Sequence, residues 1–122
     1  MSNCIELRNH VVTFPEDVID VSKVRDLLAR VPEQMPRWEE DPILYTAWWY
    51  MATCTTVTDS GVTIRFGCGR SSHTWRDFRQ FANQVLLPLF RDGKTFTHRF
   101  QVEDDGFPGW GPWKVQFGKE LK

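Results

Sequence analysis

Three stretches of the chain alternate cleanly between apolar and polar residues, and they set the frame for the rest. Phe96, His98, Phe100 and Val102 fall in one phase, against Thr95, Thr97, Arg99 and Gln101 in the other. Trp113, Val115 and Phe117 do the same against Lys114 and Gln116, and Val62, Ile64, Phe66 and Cys68 against Thr63 and Arg65. Successive side chains of an extended backbone point to opposite faces, so this period predicts three strands with one buried face each. Two of them lie within 94–118 and predict a hairpin. Its connection, Glu103 to Pro112, is much longer than the roughly two to five residues that close an ordinary hairpin.

The other stretches are less regular. Residues 4–14 alternate with a change of phase: Ile5, Leu7 and Val11 share one phase and Val12 and Phe14 the other, which predicts a strand with a bulge near Asn9 that Pro15 stops. In 16–31, Val21, Val24, Leu27, Leu28 and Val31 recur at three and four, a helix capped by Asp17 or Asp20 and ended by Pro32. Residues 32–42 hold three prolines and no hydrophobic period, hence a loop. The run 43–58 is rich in β-branched and aromatic residues, and it is expected to be a long strand covered on both sides. Asp59, Ser60 and Gly61 turn it into the strand that begins at Val62.

Gly67 to His73 then lead to a second helix, where Thr74 and Asp77 match a capping box and Trp75, Phe78, Phe81, Ala82, Val85, Leu86 and Leu89 form the apolar stripe. Pro88 is expected to kink this helix or to end it near Leu87. The order β-α-β-β-α-β-β predicts an α+β fold: a two-layer sandwich, with a mainly antiparallel sheet of about five strands and two helices packed on one face. At 122 residues, a single globular domain over 1–122 is expected.

Composition narrows the function classes. A net charge of -1 provides no field for phosphate backbones or anionic lipid, so neither nucleic acid nor membrane is expected as a partner. The N-terminal MSNCIELRNH lacks a basic cap followed by an apolar run, and Cys4, Cys54 and Cys68 show no metal or redox spacing, which together predict a cytoplasmic protein with reduced thiols. No metal or cofactor is expected. The unusual feature is aromatic: six Trp and nine Phe with two Tyr. An indole N–H needs a partner, so several tryptophans in a small domain tend to sit at a pocket or a contact surface.

Two loops combine tryptophan with carboxylates. Trp38 precedes Glu39, Glu40 and Asp41, and Glu103, Asp104 and Asp105 precede Trp110 and Trp113. A cation over an indole face gains about 0.5–2 kcal/mol, and nearby carboxylates add Coulomb attraction. The expectation is therefore a non-catalytic binding domain for a small, partly apolar, cationic ligand. Its site would comprise Trp38, Glu40, His98, Asp104, Asp105, Trp110 and Trp113, with His98 on the floor. The alternative is an interaction or inhibitor module docking the same acidic and aromatic patch on a basic protein partner. A third reading, a small hydrolase, would pair His98 with Cys68, Cys54 or Asp104. An anion site at Gly67, Gly69, Arg70, Ser71 and Ser72 is a weaker motif.

Overall fold

A computed structural model describes residues 4–5, 10–66, 73–100 and 113–122, with the backbone alone for 4, 5, 10, 73–77 and 113. In chain order its elements are β1 (Cys4–Ile5), β2 (His10–Pro15), α1 (Val21–Gln34), α2 (Pro42–Thr53), β3 (Thr55–Thr58), β4 (Gly61–Phe66), β5 (His73–Thr74), α3 (Trp75–Gln80), β6 (Phe96–Phe100) and β7 (Trp113–Phe117). The fold is mixed α+β, as expected. Among the described residues its strands do not join into one five-stranded ladder: β2, β4 and β3 form a three-stranded antiparallel sheet in the order β2-β4-β3, β6 and β7 a two-stranded one, and β1 pairs with β5 over two residues. Three helices are present among the described residues, against the two expected.

The cleanest alternation gave the most reliable strand. In β4, Val62, Ile64 and Phe66 are buried, whereas Thr63 and Arg65 face outward. Val12 and Phe14 of β2 settle the ambiguous phase of the first strand by pointing inward. The proposed bulge at Asn9 lies outside the described residues. In β6, Phe100 is buried and Phe96 and His98 are half-buried, while Thr97 and Arg99 are exposed; Val115 and Phe117 of β7 are buried opposite them. The hairpin register pairs Phe96 with Phe117 and Phe100 with Trp113.

The run 43–58 is corrected. Residues 42–53 are helical and only 55–58 are extended. Asp41 caps the helix by accepting from the Leu44 amide at 3.0 Å, and Pro42 takes the first helical position, where its missing N–H has no helical partner to lose. Helical spacing buries Ala47, Trp48, Tyr50 and Met51, and Trp49 stays half-buried, so Trp49 is the more exposed of the indole pair.

The first helix is shifted too. Residues 15–19 turn back on themselves, with the Val18 and Ile19 amides donating to the Pro15 carbonyl. Ile19 bridges Phe90, the Asp20 amide reaching the Leu89 carbonyl at 2.8 Å and the Arg91 amide the Val18 carbonyl at 2.8 Å. Backbone groups tied to that bridge cannot start a helix, which begins after Asp20, whose carboxylate accepts from the Lys23 amide. Pro32 does not end α1. It sits within it, and the helix runs on for less than one further turn to Gln34.

The expected disturbance at Pro88 appears as a change of helical register. After α3 the chain continues as a π-helical turn over Phe81–Leu86 and a 3₁₀ turn over Leu87–Leu89, the Leu87 amide donating five residues back to the Ala82 carbonyl. Within the π turn Asn83 reaches the C-terminal segment. Its Nδ2 donates to the Leu121 carbonyl at 2.8 Å and its Oδ1 accepts from the Leu121 amide at 2.7 Å. Asn83→Leu removes both bonds, and the expected loss is about 1–3 kcal/mol in urea unfolding, with faster proteolysis of the tail. Asn83→Asp keeps the acceptor for Leu121 N–H and should lose less. Equal stability of Asn83→Leu and the parent would show that the clamp does not hold the tail.

The core lies where the two sheets and the helices meet. Phe14 of β2 packs edge-on against Phe117 of β7 at 5.0 Å, Phe96 at 5.3 Å and Phe90 at 5.5 Å. Phe66 touches Phe78, Phe81 and Tyr50 on the helices and Phe100 and Phe117 on the hairpin. Phenylalanine thus joins the layers, with Trp48 buried in the same core and Trp38 left outside it.

Candidate functional site

The Trp38 loop is built by the start of α2. The Glu40 and Asp41 amides both donate to the Arg37 carbonyl, at 3.1 and 3.2 Å, closing a turn that holds Trp38, Glu39 and Glu40. The next backbone bond, from the Tyr45 amide to the Asp41 carbonyl at 2.9 Å, is already helical. The turn and the first helical turn therefore form one continuous hydrogen-bonded unit, which fixes the loop against the helix.

Within this unit Trp38 is 56% exposed, and the only other exposed large apolar side chain among the described residues is Val11. Its indole meets the Tyr45 ring edge to face, with centroids 5.7 Å apart and planes at 87°. The two rings make an aromatic corner. Glu39 and Glu40 are exposed in the same turn, whereas the Asp41 carboxylate is taken up by the helix cap. Asp41 thus leaves the acidic cluster for a structural role, and Arg37, exposed on the other side of Trp38, offsets part of the remaining charge. Tyr45 was not legible as a partner, because a strand reading put it on a sheet face; the Asp41-Pro42 pair, an N-cap followed by Pro at the first helical position, was the signal that would have put it on a helix.

The rest of the expected site is only partly described. His98 is half-buried in β6, its ring 4.8 Å from that of Phe100 at 74°. Trp113 opens β7, paired in register with Phe100. Asp104, Asp105 and Trp110 lie outside the described residues, as do Gly67 to Ser72 of the anion motif. For the hydrolase reading, Cys68 also lies outside them. Cys54 closes α2 as a buried thiol and lines a cavity in whose wall no histidine stands among the described residues.

Among the described residues no group of three or more His, Cys, Asp and Glu side chains could hold a metal ion. No described helix is long and apolar enough to cross a membrane. The polar, outward face of the three-stranded sheet, by contrast, carries a cavity that the sequence did not signal, lined by Val11, Thr53, Cys54, Thr56, Thr63 and Arg65. No protein-family model, curated protein sequence or solved structure matches the chain.

Proposed function

We propose that the chain is a non-catalytic binding domain that recognises a cation carried on a partly apolar frame, with Trp38 as its principal contact. The observation that carries this reading is the 56% exposure of Trp38 on a turn that backbone hydrogen bonds hold in place. Leaving an indole in water forgoes the burial free energy that a core position would give it, about 25 cal/mol per Å² of apolar surface. A rigid, exposed Trp beside Tyr45 offers ring faces to an ammonium or guanidinium group, and Glu39 and Glu40 supply the matching charge. Asp104, Asp105, Trp110 and Trp113 would complete the site from the hairpin connection, with His98 beneath; their part in it rests on the sequence pattern alone.

The second reading, docking on a basic protein partner, draws on the same exposure, because a protruding Trp ringed by carboxylates suits insertion into a partner's pocket. Salt separates the two readings. Attraction between extended acidic and basic surfaces falls steeply as ionic strength rises, whereas stacking of one small cation changes little.

The test is calorimetric titration with butyltrimethylammonium and with arginine amide, alongside a neutral alcohol of the same shape as the first. Binding of the cations over the alcohol is expected, weakened roughly two- to thirtyfold in Trp38→Ala, the equivalent of about 0.5–2 kcal/mol. Because Trp38 is mostly exposed and its ring contact is one edge-to-face pair with Tyr45, its replacement should cost at most about 1.5 kcal/mol and leave the domain folded, so a loss of binding would not reflect unfolding. Equal binding of cation and alcohol, or none of either by the folded protein, would remove the proposal.

A further inference from the structure

The cavity on the outer face of the three-stranded sheet has a chemistry opposite to that of the Trp38 turn. Its position follows from the strand register. Val11 pairs with Arg65, and the Arg65 amide donates to the Cys54 carbonyl at 2.9 Å, so Val11, Arg65 and Cys54 form one row across the sheet. Thr13, Thr63 and Thr56 form the next row on the same face. The end of α2, at Thr53, borders these rows, and about 260 Å³ of space lies between Val11, Thr53, Cys54, Thr56, Thr63 and Arg65. At about 30 Å³ per water molecule, that is room for roughly eight or nine waters or a small metabolite.

Two donors of this wall, Arg65 and Thr56, are uncommitted among the described residues. Among the described residues Arg65 has no ion pair and no acidic side chain lines the cavity. Thr56 makes no side-chain hydrogen bond among the described residues, and Thr63 shares one with Thr13, oxygen to oxygen at 3.0 Å. The negative end of the α2 dipole points toward the same region and would oppose an anion. That end is already largely answered: the Thr53 hydroxyl donates to the Trp49 carbonyl at 2.7 Å, and the Tyr50 carbonyl accepts from the Cys54 amide and the Thr55 hydroxyl. A full guanidinium charge therefore outweighs a partial and hydrogen-bonded one.

We propose that this cavity binds a small molecule through an oxyanion, a carboxylate or a phosphate group. The oxyanion is held by the Arg65 guanidinium and the Thr56 and Thr63 hydroxyls, and the apolar part of the molecule lies against Val11 and the Cys54 thiol. The planar fork of a guanidinium matches two oxygens of either group, and bonds to an ionised acceptor are the strong ones. Val11, 48% exposed beside this polar wall, then has an apolar surface to cover.

Amide chemical-shift titrations with acetate, butyrate, hexanoate and inorganic phosphate test this. Shifts confined to residues of β2, β3 and β4 around Arg65 are expected, with affinity rising from acetate to hexanoate if the bound group is a carboxylate on an apolar tail. Saturable phosphate binding at the same amides, with no gain from the tail, would assign the site to free phosphate and keep the oxyanion chemistry. Arg65→Gln should weaken either ligand roughly ten- to a hundredfold while its spectrum stays folded. Thr56→Val, a second variant on the exposed face, should weaken it severalfold. Bound ligand should also slow alkylation of Cys54, followed on its own peptide. No saturable shift with any of the four anions, or unchanged affinity in Arg65→Gln, overturns the proposal.

Discussion

Replacing Phe66 by alanine is expected to destabilise the protein by about 3–5 kcal/mol and to lower its melting temperature by on the order of ten to twenty degrees. Phe66 is 1% exposed. Its ring lies 5.4 Å from that of Phe78, 5.5 Å from Phe100, 6.0 Å from both Tyr50 and Phe81 and 6.4 Å from Phe117. These neighbours come from α2, α3, the π turn and both strands of the hairpin, so one side chain is shared by every layer. The loss has two parts: the transfer free energy of the missing ring, and a cavity walled by flat rings that cannot close over it without leaving their rotamers. A domain of this size is stable by only about 5–15 kcal/mol, so the variant should be partly unfolded in mild denaturant. Phe66→Leu keeps most of the volume and should lose roughly 1–2 kcal/mol. Urea unfolding of the three proteins decides the matter, and a loss below about 1 kcal/mol for the alanine variant would mean that the ring does not join the layers.

The contrast between Phe66 and Trp38 shows how much of the molecule the sequence carried. A strand with one wet face must alternate, and β4 does: its period alone puts Thr63 and Arg65 outward and Phe66 inward. The same holds for Phe96, His98 and Phe100. Helix α2 was hidden because its faces are apolar nearly all round, packed by α1 and α3 and by the π turn, so no period survived in Ile43 to Thr53. There the β-branched and aromatic composition pointed to a strand, and the local signal that mattered was Asp41-Pro42 at the helix start. The division into two sheets was illegible for another reason. Pairing between distant strands depends on how the helices between them pack, which alternation alone does not encode. Trp38 was legible as a candidate because a loop gave it nothing to pack against, and its pairing with Tyr45 followed only once the helix was in place. Arg65 was read simply as an outward residue and Thr56 as part of a long strand, since their common cavity needs the β2-β4-β3 order to exist.

Gly118→Ala is the second substitution expected to have a large effect, about 2–5 kcal/mol. Gly118 follows β7 and has φ +94°, a region in which a Cβ crowds the following carbonyl, at a cost of roughly 1–2 kcal/mol. A Cβ there would also collide with the Lys94 carbonyl oxygen and come within 3.0 Å of the Thr95 Cα and 3.2 Å of the Phe90 ring. Two of these three obstacles are backbone, so relief requires the open end of the β6-β7 hairpin to spread, at about 1–3 kcal/mol more. Gly93 is the internal control: its φ is +72°, but nothing lies within 4 Å of a Cβ at that position. Gly93→Ala should therefore lose only the conformational part, and the difference between the two variants isolates the close approach of β7 to Lys94. The spread has a functional consequence, because β6 and β7 carry His98 and Trp113 and hold Phe96 and Phe117 against Phe14. Denaturant unfolding at constant slope measures the stability difference, and amide exchange along 96–100 and 113–117 reports whether the hairpin has opened. Equal losses in Gly93→Ala and Gly118→Ala would show that the chain has room beside Lys94 and that the hairpin is not closed there by the missing side chain.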